Sequence, residues 1–198
     1  MEESNSPFIY PEERPIPEQF HSIDTEGLFQ NCCMCEKQVV ESGEPYMIER
    51  SIKRQNHAIE NVLFEYAICM SCAQQMNDSM SKESLASLQG YFKFYFQGPG
   101  LEKRREEIKA DENAWYNRCL VKGTPRSELF EYNICGLFIG DKMLLGQFPY
   151  IVGMEAMEEV VTLLSAETKD ELDDFKDKFL GGPPEFEEML KGRPVMMI

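Results

Sequence analysis

Apolar residues that favour β-structure are concentrated in two places along the chain. Residues 46–48 and 62–66 form two such runs, and a longer polar stretch separates them. These runs predict a β-hairpin with a long polar excursion between its strands. In the second half, residues 129–139 and 143–148 flank a Gly-Asp turn dipeptide. This second pattern predicts another hairpin.

Helical spacing follows the first predicted hairpin. Apolar residues recur at three- and four-residue steps over 85–96, and the Gly-Pro-Gly segment at 98–100 is expected to end that helix. Ser79 or Ser81 is a candidate N-cap within this region. Residues 101–116 are expected to form a surface helix, with a thin apolar stripe and its charged residues largely in solvent.

Acidic helices are expected to follow the second hairpin. Residues 154–164 suit one helix. Thr168, with Glu171 three residues later, is a capping-box pattern for a second helix that runs to Leu180. Two prolines then open a short third helix over 183–190.

Composition and charge narrow the range of partners. The chain has 198 residues and a formal net charge of -15. Residues 1–30 carry seven acids and one base, and residues 155–191 carry twelve acids and four bases. Binding of nucleic acid needs a clustered Lys/Arg surface, so nucleic acid is not an expected partner. The sequence has neither an apolar run of about 18 residues nor a secretion-signal profile, so we expect no membrane span and a cytoplasmic location.

Four of the seven cysteines form two C-x-x-C motifs. Cys32 and Cys35 form the first, Cys69 and Cys72 form the second, and 33 residues separate the two motifs. Two such turns can direct four thiolates at one ion, and zinc prefers this tetrahedral set of sulfur ligands. The spacing therefore predicts a closed, structural Zn²⁺ site, with Cys33 as a bystander. Iron held by the same four sulfur atoms and independent redox pairs are the alternatives.

The two motifs, the hairpin between them and a helix starting near Cys72 resemble a treble-clef zinc finger. The resemblance covers about residues 28–80 and rests on the four ligand cysteines. It implies a fold but no particular activity, because sites of many kinds are built on such folds.

HNH nucleases are a branch of the treble-clef group that the chain resembles in part. Their hairpin carries a general-base His, and their helix supplies a metal ligand. Here His57 lies between the two cysteine motifs, and Asn77 lies on the following helix. The resemblance is incomplete, because no acidic residue adjoins His57 and the helix has no His. A metal-dependent nuclease or other nucleic-acid-acting protein of this type, using His57, is therefore the alternative and not the main prediction.

Few other residues suggest chemistry. The chain has two histidines, so Cys-His and Ser-His-Asp arrangements are not readily built, and no catalytic residue is assigned. Cys135 lies in an apolar strand pattern and is expected to be a small buried hydrophobe, and Cys119 with Cys135 alone would lack ligands for a second metal. The aromatic run over 91–96 and the apolar tail over 194–198 are candidate surfaces for another protein.

Together these patterns predict an α+β protein in three parts. Residues 1–27 form an extended, Pro-rich acidic arm, and residues 28–117 form a small treble-clef-like zinc module with a helical extension. Residues 118–198 form a β-hairpin followed by acidic helices, and no internal repeat is detected. The predicted function is that of a zinc-stabilised, non-enzymatic protein-interaction or adaptor protein.

Overall fold

Five strands form one antiparallel sheet, and five α-helices accompany it, in the residues that the computed structural model describes: 15–55, 59–111, 113–180, 193 and 195. The strands are β1 (Pro45–Gln55), β2 (Ile59–Cys69), β3 (Glu131–Ile139), β4 (Lys142–Leu144) and β5 (Tyr150–Gly153). The helices are α1 (Met70–Ser79), α2 (Lys82–Phe96), α3 (Gly98–Ala110), α4 (Met154–Thr162) and α5 (Ala166–Phe179). This combination confirms the α+β class. Within the described ranges, no helix has both the length and the apolar character that crossing a membrane requires.

The first predicted hairpin consists of β1 and β2. The strand order of the sheet is β2-β1-β3-β4, and β5 also pairs with β3. β1 and β2 pair antiparallel, starting with Tyr46 opposite Cys69. Polar residues predicted to form an excursion therefore lie largely within the strands. Charged residues in these strands made the apolar pattern hard to recognise in the sequence. They are accommodated because opposite charges pair across the hairpin: Arg50 Nε lies 2.9 Å from Glu65 Oε2.

The second hairpin is formed by β3 and β4, with Gly140 in its turn at φ 57°. β4 is shorter than predicted, and β5 was not predicted. β5 pairs with β3 from Tyr132 opposite Gly153 to Cys135 opposite Tyr150. All four residues of β5 are buried, so it lacks the alternation of apolar and polar residues that identifies a half-buried strand.

The helix boundaries agree with the sequence predictions at Ser81 and depart from them at two other points. Ser81 caps α2 by accepting a hydrogen bond from a backbone N–H of the first turn. The Gly-Pro-Gly segment starts α3 because Pro is tolerated in the first helical turn, where its missing N–H has no intrahelical partner to lose. The predicted capping box of Thr168 and Glu171 is wrong, since α5 begins after the N-cap Ser165. The predicted helix over 183–190 lies outside the described residues.

Residues 15–27 of the predicted arm pack on the sheet. Phe20 is fully buried, and its ring centroid lies 4.9 Å from that of Phe138 and 5.4 Å from that of Trp115. Arg50 Nη1 donates a 2.7 Å hydrogen bond to the backbone oxygen of Gln19. Packing and one buried arginine therefore hold this segment to β1 and β3.

A row of polar side chains crosses the buried sheet. Tyr66, Glu49, Cys135 and Tyr150 are successive partners on β2, β1, β3 and β5, and all four are buried. Tyr66 OH donates a hydrogen bond to Glu49 Oε2, and Asn133 Nδ2 donates one of 2.6 Å to Glu49 Oε1. Cys135 is buried, as expected, and burial raises the pKa of its thiol. Because the Glu49 carboxylate has these donors, the row helps to fix the register of the strands.

Charged residues cluster at the far end of the β1–β2 hairpin. Glu60 lies 2.8 Å from Arg54 and 2.9 Å from Arg126, and it accepts a 2.8 Å hydrogen bond from Tyr132 OH. Burial by itself raises the pKa of Glu60, but the hydrogen bonds and the two positive charges outweigh it and lower the pKa.

Strands from both sides of the predicted boundary near residue 118 belong to the same sheet. β1 and β3 pair from Pro45 opposite Ile139 to Lys53 opposite Glu131. The buried hydrophobic residues also form one cluster. How the chain divides into separately folding units stays a prediction.

The order of a strand pair followed by two helices occurs twice. The first copy contains β1, β2, α1 and α2, and the second contains β3, β5, α4 and α5. α1 and α4 begin 84 residues apart, and so do α2 and α5. Pairs of residues separated by 84 positions are Phe64 and Phe148, Tyr66 and Tyr150, Ser81 and Ser165, Ser84 and Thr168, and Leu88 and Leu172.

The prediction that the chain has no internal repeat is therefore wrong. Few of the equivalent residues are identical, which leaves a weak signal in the sequence. In addition, the separation between equivalent residues varies. Glu49 lies opposite Tyr66 and Cys135 lies opposite Tyr150, so the separation is 86 positions from Glu49 to Cys135 and 84 from Tyr66 to Tyr150. The repeat consequently has no fixed period along the whole chain.

The two copies meet at the N-termini of α2 and α5. Ser81 N donates a 2.9 Å hydrogen bond to Thr168 Oγ1, and Ser165 N donates one of 2.8 Å to Ser84 Oγ. Ser84 and Thr168 are fully buried. Each helix cap is thus completed by a side chain of the other copy, which satisfies N–H groups that helix starts leave without a partner.

Candidate metal centre

A tight turn positions the first two cysteines. Cys32 N donates a 2.9 Å hydrogen bond to Lys37 O, and Glu36 N donates one of 2.9 Å to Cys32 O. Glu36 has a φ of 59°, in the left-handed region that favours glycine. The turn brings Cys32 and Cys35 to the same site, next to the end of β2.

The second pair of cysteines lies where β2 leads into α1. Cys69 is the last residue of β2 and the residue before α1, and Cys72 is in the first turn of that helix. Cys69 N donates a 3.4 Å hydrogen bond to Cys32 Sγ, which ties the two pairs together. The partial positive charge of a helix N-terminus favours thiolates at this position.

All four sulfur atoms lie within 4.8 Å of one another. Cys35 Sγ and Cys69 Sγ are 3.8 Å apart. Zinc–sulfur bonds of about 2.3 Å in a tetrahedron place sulfur atoms about 3.8 Å apart. Cys32, Cys69 and Cys72 are buried, whereas Cys35 is exposed. The four cysteines can therefore hold one metal ion at a site with a single open edge.

The pKa values of the clustered thiols shift in opposite directions, because hydrogen bonds and burial act on them differently. A hydrogen bond from the Cys33 thiol, together with backbone N–H groups of Cys69, Cys35 and Met34, lowers the pKa of Cys32 to about 3 against the opposing effect of burial. Burial raises the pKa values of Cys69 and, more strongly, Cys72. A bound divalent cation would favour the thiolate form of all four ligands, because coordination deprotonates a thiol.

Cys33 lies beside the cluster and is not part of it. Its backbone N–H donates a 2.8 Å hydrogen bond to Ala67 O, which attaches the turn to β2. The Cys33 thiol donates to Cys32, and this bond raises the pKa of Cys33. Among the described residues, the group able to hold a metal comprises Cys32, Cys35, Cys69 and Cys72 without Cys33.

The same backbone turn occurs in the second copy, around Cys119. Cys119 N donates to Thr124 O at 2.8 Å and Gly123 N donates to Cys119 O at 2.9 Å, as Cys32 N and Glu36 N do in the first turn. Gly123 has a φ of 68°, so a glycine stands where the first turn has Glu36. Gly153 N also donates a 3.4 Å hydrogen bond to Cys119 Sγ, the counterpart of the bond from Cys69 N.

Only one of the four ligand positions in the second copy is a cysteine. The positions equivalent to Cys32, Cys35, Cys69 and Cys72 are Cys119, Lys122, Gly153 and Ala156, and all four line one cleft of about 450 Å³. Lys122 Nζ forms ion pairs with Glu159 and, at 3.7 Å, with Glu155. The second turn therefore keeps the backbone of the first without its set of sulfur ligands. Sequence reasoning missed this relation because only Cys119 preserves the ligand chemistry.

The nuclease alternative cannot be matched to a described site. His57 lies outside the described residues. Asn77 does lie on α1, as the resemblance implies. The other histidine, His21, has Nε2 3.1 Å from the backbone oxygen of Ile16, a contact that helps to fold the N-terminal segment.

Comparisons of the chain with protein-family models, with curated proteins and with solved structures find no match.

Proposed function

We propose that Cys32, Cys35, Cys69 and Cys72 bind one structural zinc ion in a treble-clef-like module, and that the protein is a non-enzymatic protein-interaction or adaptor protein. The observation that supports this proposal is the cluster of four sulfur atoms within 4.8 Å. Four protein ligands leave no coordination position for water or substrate, so the ion would stabilise the fold and take no part in a reaction.

The order of the elements around the cluster supports the treble-clef part of the proposal. The tight turn at Cys32 comes first, the β1–β2 hairpin follows, and α1 begins directly after Cys69. The acidic helices expected in the second half correspond, in this proposal, to α4 and α5.

Loss of one ligand tests the metal site. Cys69→Ser should release the ion and unfold the module, because a structural zinc ion contributes on the order of 10 kcal/mol to folding. Cys33→Ser is the matched control, since it removes a neighbouring thiol that lies outside the cluster. Metal content per chain and circular dichroism should change with Cys69→Ser and stay near the wild-type values with Cys33→Ser. Equal loss of metal in both variants would show that the ligand set is assigned incorrectly.

An exposed aromatic ring supports the interaction role. The aromatic run over 91–96 divides between core and surface, because Phe92 is 1% exposed and Phe94 is 64% exposed. Large exposed apolar side chains are candidates for contacts with another protein. We therefore place the recruiting surface around Phe94, at the C-terminal end of α2.

Comparison of two exposed phenylalanines tests this surface. Phe130 is 62% exposed and belongs to the segment before β3, so Phe130→Ser changes as much exposed ring as Phe94→Ser does. Proteins captured by the wild-type chain should be lost with Phe94→Ser and kept with Phe130→Ser, and the binding should be reproduced with purified components. Identical capture by both variants and the wild type would contradict the placement.

A further inference from the structure

A cleft of about 440 Å³ lies between α3, the end of α2 and the turn of the second copy. Residues 118–123 form one wall, so the cleft borders the turn that lacks the sulfur ligands. The rings of Tyr95, Trp115 and Tyr150 also line it. A concave site of this size with aromatic walls is typical of small-molecule binding sites. We call it the α3 cleft.

Arg104 contributes a buried guanidinium to the α3 cleft. Its exposed fraction is 8%, although the charged pattern of α3 predicted a solvated residue. Nη1 donates a 2.7 Å hydrogen bond to Gln147 O, and the guanidinium carbon lies 6.0 Å from the centroid of the Tyr150 ring. Nη2 is buried and has no hydrogen-bond partner among the described residues. A guanidinium offers five N–H donors, so the side chain of Arg104, which lines the cleft, has unused hydrogen-bonding capacity.

Burial of Arg104 carries an energetic cost. Removal of the guanidinium from water lowers its pKa to about 10, even though nearby Tyr150 and Glu107 favour the charged form. A buried charge is normally balanced by a paired opposite charge and by hydrogen bonds. An anion in the cleft would supply both to the guanidinium of Arg104.

The charge around the cleft differs from that of the chain as a whole. Lys103, Arg104, Arg118 and Lys122 line it together with a single acid, Glu107. Lys103 pairs with Glu107, and Lys122 pairs with Glu155 and Glu159, so the local excess of positive charge rests on Arg104 and Arg118. The whole chain, in contrast, has 35 acids and 20 bases. A local excess of positive charge in an acidic protein favours anions at this position over the rest of the surface.

We propose that the α3 cleft binds a small organic anion, with its acidic group on the guanidinium of Arg104 and its apolar body against Trp115 and Tyr95. A carboxylate suits the planar guanidinium, because two oxygen atoms can accept from it at once. This site is independent of the four-cysteine cluster and would add a ligand-binding function to the proposed interaction role.

Binding of simple acids to the metal-loaded full chain tests the proposal. Benzoate, 1-naphthoate and octanoate, each compared with its uncharged primary amide, would be titrated by calorimetry. Because Trp115 is the only tryptophan, its fluorescence provides a second readout for octanoate. At least one carboxylate should bind one per chain and about tenfold or more tighter than its amide, as a charge-assisted hydrogen bond requires. Failure of all three acids to bind, or equal binding of acid and amide, would overturn the proposal.

Two variants on α3 assign the binding to one side chain. Arg104→Gln should weaken binding of the acid about tenfold or more, and binding of the amide should change little. Lys109→Gln removes the same charge from an exposed position of α3 outside the cleft, and it should leave both affinities within about a factor of two. Unchanged acid binding by Arg104→Gln would overturn the assignment. The wild-type comparison of acid with amide needs no variant, so it decides the question even if Arg104→Gln does not fold.

Discussion

Three substitutions in the second copy should create a second metal site. Lys122→Cys, Gly153→Cys and Ala156→Cys, together with the native Cys119, would restore the four positions that hold sulfur in the first copy. The two backbone turns already agree closely, since the bond from Cys119 N to Thr124 O is 2.8 Å and its counterpart from Cys32 N is 2.9 Å. The cleft of about 450 Å³ that these four positions line provides room for an ion.

The cost of the new side chains follows from their surroundings. A Cβ atom at Gly153 would lie 2.7 Å from Leu129 Cδ2, the flexible end of a side chain that must move aside. Ala156 is fully buried, so its sulfur must also be accommodated. Each of these two changes should cost about 1 to 3 kcal/mol without metal. Loss of the Lys122 ion pairs, which lie on an exposed side chain, should add little to this cost.

Metal binding should exceed that cost. A structural four-cysteine zinc site contributes on the order of 10 kcal/mol, against a packing penalty of about 2 to 6 kcal/mol. The triple variant should therefore gain more stability from zinc than the wild type does. Elemental analysis of the metal-loaded protein should find one more metal ion per chain than in the wild type.

A matched set of serines separates ligand chemistry from packing. Lys122→Ser, Gly153→Ser and Ala156→Ser introduce side chains of similar shape that cannot complete the sulfur site. This control should bind no metal beyond the ion at the first four-cysteine cluster and should gain no more stability from zinc than the wild type does. A triple cysteine variant that folds, shown by circular dichroism, but takes up no additional metal would refute the equivalence of the two turns.

Three further changes test separate parts of the fold by urea denaturation. Glu36→Gly should raise the free energy of unfolding by up to about 1 kcal/mol, because glycine removes the strain of a φ of 59°; a loss of stability would contradict this. Thr168→Val should lower the free energy of unfolding by about 1 to 3 kcal/mol, because it leaves a buried cap N–H without its acceptor. Thr162→Val, on the surface, should change it by less than about 0.5 kcal/mol, and equal effects of the two variants would be evidence against the shared caps. Glu60→Gln should cost about 1 kcal/mol at pH 7. Folding lowers the pKa of Glu60, so the stabilisation that its carboxylate provides is complete above the unfolded-state pKa of about 4.3 and is lost as the pH falls through the folded-state pKa. A stability difference between Glu60→Gln and the wild type that persists in acid would contradict the ion-pair cluster.

The candidate metal centre was largely predictable from the sequence because it depends on local spacing. Each C-x-x-C motif forms its own turn, and the sequence shows which residues lie between the two. The strands that bring the turns together were located less accurately. The sequence pattern predicts Arg50 in a polar excursion beyond the first strand, but Arg50 pairs with Glu65 across the β1–β2 hairpin. Charge pairs of this kind become visible only when the register of the strands is known.

The repeat and the α3 cleft were not predictable, for a different reason. The two turns share hydrogen bonds between backbone atoms, which almost any side chain permits, and Gly153 stands where the first copy has Cys69. Arg104 lies among charged residues of α3, a pattern typical of a solvent-facing helix. Its burial depends on the turn at residues 118–123 and on Tyr150, which are distant along the chain. Such relations arise from tertiary packing and leave no local signal.

The most direct test of the proposed structural zinc site is the metal content of the full-length protein purified without added metal. Elemental mass spectrometry, combined with a thiol titration before and after denaturation in chelator, measures both the ion and its ligands. The proposal predicts one zinc ion per chain and six thiols that react only after denaturation in chelator, namely the four ligands and the buried Cys119 and Cys135. Metal-free folded protein, or iron with a visible absorption band, would contradict it.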